Sequence, residues 1–107
     1  MLEGVIYTLV SASANSAAVR LLPESPIYKA HFPAYPITPG VTLLQMSLEL
    51  MGNRKLVGAK EIKFTAPVLP GDGIIVNFSW TFADEHNVLV MITGEDGSQY
   101  AKLFLTV

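Results

Sequence analysis

His31 stands in a loop that three prolines, Pro33, Pro36 and Pro39, hold stiff. Each proline fixes its own φ and pushes the preceding residue out of the helical region. A positioned acid or base needs so rigid a support, and histidine suits that work because it titrates near neutrality. Directly after the loop, the apolar run from Gly40 to Met51 reads as a helix. Thr38 is its expected cap, Pro39 its expected first position and Gly52 its expected end. Gly40 then sets a backbone N–H at a helix N-terminus, where the dipole favours negative charge and no side chain blocks a ligand.

Within that apolar helix, Thr42, Gln45 and Glu49 are spaced i, i+3, i+7 and so lie on one side. A glutamine amide hydrogen-bonds a hydroxyl but cannot act as a carboxylic acid, whereas Glu49 can. Four residues is only about 6 Å along a helix, and side chains lean back toward its N-terminus, so Glu49 can reach toward Gln45. The pair would serve equally as a buried polar contact that stabilises a subunit interface. Taken alone, His31 would be an ordinary loop histidine; its surroundings turn the reading toward catalysis.

Those surroundings are His31-Phe32-Pro33-Ala34-Tyr35-Pro36-Ile37-Thr38-Pro39-Gly40 followed at once by the apolar helix, and later Phe64-Thr65-Ala66-Pro67-Val68-Leu69-Pro70-Gly71-Asp72. In order and spacing the two stretches resemble the paired motifs of the 3-hydroxyacyl-(acyl-carrier-protein) dehydratases of the hotdog superfamily. With the strand pattern around them, the resemblance covers most of the chain. It implies an α+β hotdog fold, an antiparallel sheet wrapped around one long buried helix. It also implies removal of water from a 3-hydroxyacyl thioester, with His31 as base and the Gly40 amide as oxyanion donor. Phe32 and Val41 would lie with Gly40 against the substrate, which would be carried on acyl carrier protein or coenzyme A. No cofactor and no metal are implied.

The chain departs from that pattern at three positions. Gln45 occupies the place where the family's helix carries Glu or Asp, and Glu49 stands one turn on, where many members have Gln. The two residue types look exchanged, so Glu49 is the expected replacement acid, directly or through a water, with Gln45 orienting it or the substrate. Ala34 replaces a usual glycine. Three function classes follow: a dehydratase; a hotdog thioesterase in which Glu49 activates water; and a degenerate acyl-binding subunit that completes a heterodimer.

The elements that must position these groups follow from periodicity. Val5–Val10 and Ala17–Leu22 read as a hairpin, and the proline loop and helix fill residues 27–52. Ile62–Ala66, Val76–Phe82, Val88–Ile92 and Tyr100–Val107 read as four further strands, with a tight turn at Gly94-Glu95-Asp96-Gly97. An antiparallel sheet with its helix segregated is α+β. His86 beside Asp84 and Glu85 superficially suggests a metal cluster, but adjacent turn residues rarely converge on one ion, and a solvated turn is the better reading.

At 107 residues the chain is one domain, residues 1–107, with a single core. Half its residues are apolar and 15% are charged, against about 25% in typical soluble domains. So few charges on so small a chain point to an apolar face buried in a partner subunit, a homodimer or a heterodimer. A net charge of −2 gives no electrostatic footprint for nucleic acid. Four of the seven basic residues, Arg54, Lys55, Lys60 and Lys63, cluster after the helix, where an acidic carrier protein could dock. Glu3, Gly4 and Thr8 interrupt any signal-peptide pattern, no run is long enough to span a bilayer, and there is no cysteine. A cytoplasmic protein is expected.

Overall fold

A computed structural model describes residues 2–30, 36–71 and 74–107. The order of elements is β1 (Tyr7–Ala12), β2 (Ser16–Leu21), α1 (Pro26–Ala30), α2 (Gly40–Leu50), β3 (Gly58–Phe64), β4 (Ile75–Phe82), β5 (Asn87–Gly94) and β6 (Gln99–Thr106). The strands form one six-stranded sheet in the order β1-β2-β4-β5-β6-β3, every neighbouring pair antiparallel. The chain leaves β2, runs through both helices and returns at the far edge as β3.

Alternation of side chains explains how this sheet makes a core. Val76, Phe78 and Trp80 of β4, Val88, Val90 and Ile92 of β5, and Ala101, Leu103 and Leu105 of β6 share the inner face and are buried. Leu43, Met46, Leu48 and Met51 of α2 and its end join them in one hydrophobic cluster. This is the expected α+β arrangement, a sheet curled over one helix. The helix is not closed all round in the single chain. Val41 is 73% exposed and Gln45 is also exposed, whereas Thr42 and Glu49, from the same polar stripe, are buried.

Two local expectations are corrected. Thr38 does not cap α2: the N-cap is Pro39, and among the described residues no side chain caps the first turn. The reason is that Thr38 is buried and already engaged, its hydroxyl with Tyr28 Oη at 2.7 Å and its N–H with the Val68 carbonyl at 2.8 Å. Likewise residues 27–30, read as part of a loop, belong to the short helix α1, with Pro26 at its start. Gly52 does end α2: its φ of +94° is a conformation that side chains disfavour, and its N–H returns to the Glu49 carbonyl at 3.1 Å.

Candidate active site at the start of the central helix

Two separate loops are stitched together at the N-terminus of α2. The Thr38 N–H bond to Val68 joins the loop before the helix to the stretch after β3, and the Tyr28–Thr38 hydroxyl pair ties α1 to the same point. Burial holds the Tyr28 phenol above its ordinary value, so at neutral pH it remains protonated. These bonds fix both described ends of the segment 31–35. His31 and Phe32, the expected base and one expected substrate contact, lie outside the described residues.

Gly40 is the first residue of α2. Thr42 and Leu43 donate to the Pro39 carbonyl at 3.0 and 3.1 Å, so the Gly40 amide precedes the first helical bond and has no intrahelical acceptor. A groove of about 360 Å³ opens here, lined by Ile37, Gly40, Leu43, Phe64 and Val68 among others. The lining is mainly apolar and suits an acyl chain. Phe64 lies so close over Gly40 that a Cβ on residue 40 would meet its Cζ at 2.6 Å. Val41, another expected substrate contact, points away from the protein and leaves its side chain open.

Further along α2, Gln45 and Glu49 do meet, Gln45 Nε2 donating to Glu49 Oε2 at 3.3 Å. The Glu49 carboxylate is otherwise occupied from within the chain. The Leu2 N–H lies 2.9 Å from Oε1 and 3.0 Å from Oε2, and the Tyr7 hydroxyl donates to Oε1 at 3.2 Å. Burial first, and then the charge of Glu49 and the hydrogen bond to it, hold the Tyr7 phenol well above its ordinary value, so Tyr7 is a donor throughout the physiological range. Sequence reasoning found the helix side of this network and missed the Leu2 and Tyr7 side. Glu49, an acid inside an apolar helix, signals that donors must exist, but not that they come from more than forty positions away.

The expected turn at residues 84–87 is a hydrogen-bonded one. Asp84 accepts from the His86 and Asn87 N–H groups, both at 2.8 Å, and from Asn87 Nδ2. His86 Nδ1 turns instead to the Val107 carbonyl at 3.0 Å. Of the basic cluster, Arg54 rests over the Phe82 ring and Lys60 over Phe104, with centroid distances of 5.0 and 5.3 Å.

Comparison with known proteins places this geometry in context. Over 98 residues the chain is 28% identical to the 3-hydroxyacyl-(acyl-carrier-protein) dehydratase FabZ of Streptococcus pneumoniae strain CGSP14, covering 78% of this chain and 69% of that protein. Among solved structures, a chain of the dehydratase heterocomplex ApeI:P from Xenorhabdus doucetiae superposes with a TM-score of 0.66 at 18% identity, covering 94% of this chain and 98% of that one. The PaaI protein of Escherichia coli gives a TM-score of 0.58 at 13% identity, covering 92% and 79%. These likenesses establish the hotdog fold. The family model described as ApeI dehydratase matches residues 9–103, nearly the whole sheet and both helices, and on that match the chain belongs to the ApeI-like dehydratase family.

Proposed function

We propose that the protein removes water from 3-hydroxyacyl thioesters to give 2-enoyl thioesters. The observation that carries this reading is that residues of both sequence motifs, Gly40 from the first and Phe64 to Val68 from the second, line one apolar groove at the start of α2. In this reading His31 takes the proton from C2 of the acyl chain. The Gly40 amide, at the positive end of the helix dipole, holds the charge that develops on the thioester oxygen. Gln45, held by the Glu49 carboxylate, hydrogen-bonds the 3-hydroxyl, and the proton taken by His31 passes to that hydroxyl through a water as it leaves. The C2–H and C3–O bonds break, the C2–C3 double bond forms, and water is released. The support for Glu49 as the group that orients Gln45, rather than as the acid itself, is that its partners among the described residues all donate to it: Gln45 Nε2, the Leu2 N–H and the Tyr7 hydroxyl.

The FabZ relative's name makes acyl carrier protein the first choice of carrier, with coenzyme A as the alternative. The surface suits an anionic carrier of either kind: Lys63 of β3 directly opposes Lys102 of β6. Like charges so placed disfavour the sheet, and an acidic carrier would relieve them. Subunit pairing, as a homodimer or as a heterodimer, fits the open Val41 and Gln45 stripe of α2, the neighbour ApeI:P being a heterocomplex, and a cytoplasmic setting fits a cysteine-free chain.

The test incubates purified protein with 3-hydroxyacyl and enoyl thioesters and follows enoyl absorbance and free thiol together. Enoyl interconversion is expected. Thiol release without it would make the protein a thioesterase, and neither signal would leave an acyl-binding subunit. Glu49→Gln, which takes the charged acceptor away from Gln45, is expected to lower kcat by about 10- to 100-fold at little change in KM, the worth of a hydrogen bond to a charged group. Unchanged turnover would remove Glu49 from the reaction.

A further inference from the structure

We propose that Tyr7 and the Leu2 amide are positioning groups for the Gln45 carboxamide, acting on it through the Glu49 carboxylate. The inference rests on the reading of Gln45 as the group that holds the substrate hydroxyl. A carboxamide has two unlike ends, and only its oxygen accepts a hydrogen bond from a hydroxyl. Gln45 Nε2 is turned to Glu49 Oε2, which leaves Oε1 on the outward side of an exposed side chain. Holding that orientation requires the carboxylate to hold its own.

Glu and Gln side chains are among those that lose most rotamer freedom when fixed, so an unsupported pair would not stay in one arrangement. Support comes from a compact turn at the start of the chain. The Val5 and Ile6 N–H groups donate to the Leu2 carbonyl at 2.9 and 3.0 Å, and the Gly4 N–H donates to the Tyr7 carbonyl at 2.7 Å. That turn brings the Leu2 N–H between both Glu49 oxygens and the Tyr7 hydroxyl onto Oε1. The N–H straddling the two oxygens fixes the carboxylate plane, and Tyr7 occupies Oε1, so Oε2 is the oxygen left for Gln45. Tyr7 is itself fixed at the start of β1 opposite Leu21, with only 2% of its surface exposed. Like Gln45 and Glu49, neither group is among the residues that line the groove at Gly40; each acts on Gln45 at second hand.

Tyr7→Phe keeps the ring and removes the donor. It is expected to lower kcat for a 3-hydroxyacyl thioester about three- to tenfold, the worth of one hydrogen bond, with KM unchanged. Inhibition by a saturated acyl thioester, which lacks the hydroxyl, should not change. In a Gln45→Ala background the same substitution should have no further effect. Leu2→Pro, which deletes the other donor, should repeat the pattern. An independent arm is the ¹⁵N spectrum of the Gln45 side chain: one Nε2 proton should be shifted and slow to exchange in the wild type, and lose both properties in Tyr7→Phe. Additive effects of Tyr7→Phe and Gln45→Ala, or a Gln45 amide indifferent to Tyr7, would overturn the inference. If the wild type turns over no 3-hydroxyacyl substrate, the proposed function fails, while the amide spectrum still decides whether Tyr7 orients Gln45.

Discussion

Gly40 and Phe64 come from different sequence motifs and touch at the mouth of the groove. A Cβ on residue 40 would lie 2.6 Å from Phe64 Cζ and 2.7 Å from Cε2. Both atoms are the far end of a half-exposed side chain, so the ring can swing aside without moving backbone. Overpacking typically costs about 1–3 kcal/mol, while alanine is the better helix former by about 1 kcal/mol. Gly40→Ala is therefore expected to lose at most about 2 kcal/mol by denaturant unfolding, and adding Phe64→Ala should recover most of it. A larger loss that Phe64→Ala does not relieve would place the constraint in the backbone. At this scale the sequence is informative where chemistry is concentrated: a glycine after Pro39 and an acid in an apolar helix both announce themselves. It is silent about Tyr7, Tyr28 and Leu2, because a donor's partner is set by tertiary packing. Thr38 shows the same limit, a good cap by type whose hydroxyl is bonded to Tyr28 instead.

The hairpins show what alternation and turn chemistry can convey. Strands β4, β5 and β6 fall within a residue or two of their expected positions because each has apolar residues at every second place and an evident turn between. β3 begins at Gly58 rather than Ile62, since Gly58-Ala59-Lys60-Glu61 has no strand preference and is drawn into the sheet by pairing with β6. The turn between β4 and β5 yields a prediction of its own. Hydrogen bonds from Asn87 and from the His86 and Asn87 N–H groups lower Asp84 from 3.8 to about 2. A carboxylate depressed on folding adds stability above its unfolded value and loses it as pH falls through the folded one. Asp84→Asn, which mimics the protonated acid, should melt below the wild type at about pH 6, and the gap should close between pH 3.8 and about 2. Equal melting at about pH 6 would show that the turn draws nothing from the charge.

Over the whole molecule, the strand order leaves β1 and β3 as the two edges of the sheet. Both edge strands carry a register break, between Leu9 and Ser11 in β1 and between Ala59 and Glu61 in β3. β3 is open along nearly its whole length, and its edge carries the larger apolar side chains Ile62 and Phe64. Ile62 shows what is missing there. It pairs with Leu103 and so points to the same face, yet Leu103 is wholly buried and Ile62 is 42% exposed, since no strand lies beyond it. Phe64, at the end of β3, is half exposed and lies over Gly40 beside the open Val41, which carries the apolar surface from the sheet edge to the helix. A second copy pairing along β3 would satisfy the open backbone groups and cover these side chains together, placing the start of one α2 near its counterpart. Ile62→Lys is chosen because it sets a charge in that seam while costing the single chain little. Sedimentation velocity should find the wild type at about twice the chain mass at micromolar concentration and the variant at chain mass with unchanged far-ultraviolet dichroism. If each site draws on both subunits, turnover should fall in step with dissociation as the variant is diluted. A wild type that sediments as a single chain would mean that this edge is covered by a different polypeptide, and the heterodimer would then be the form to assay.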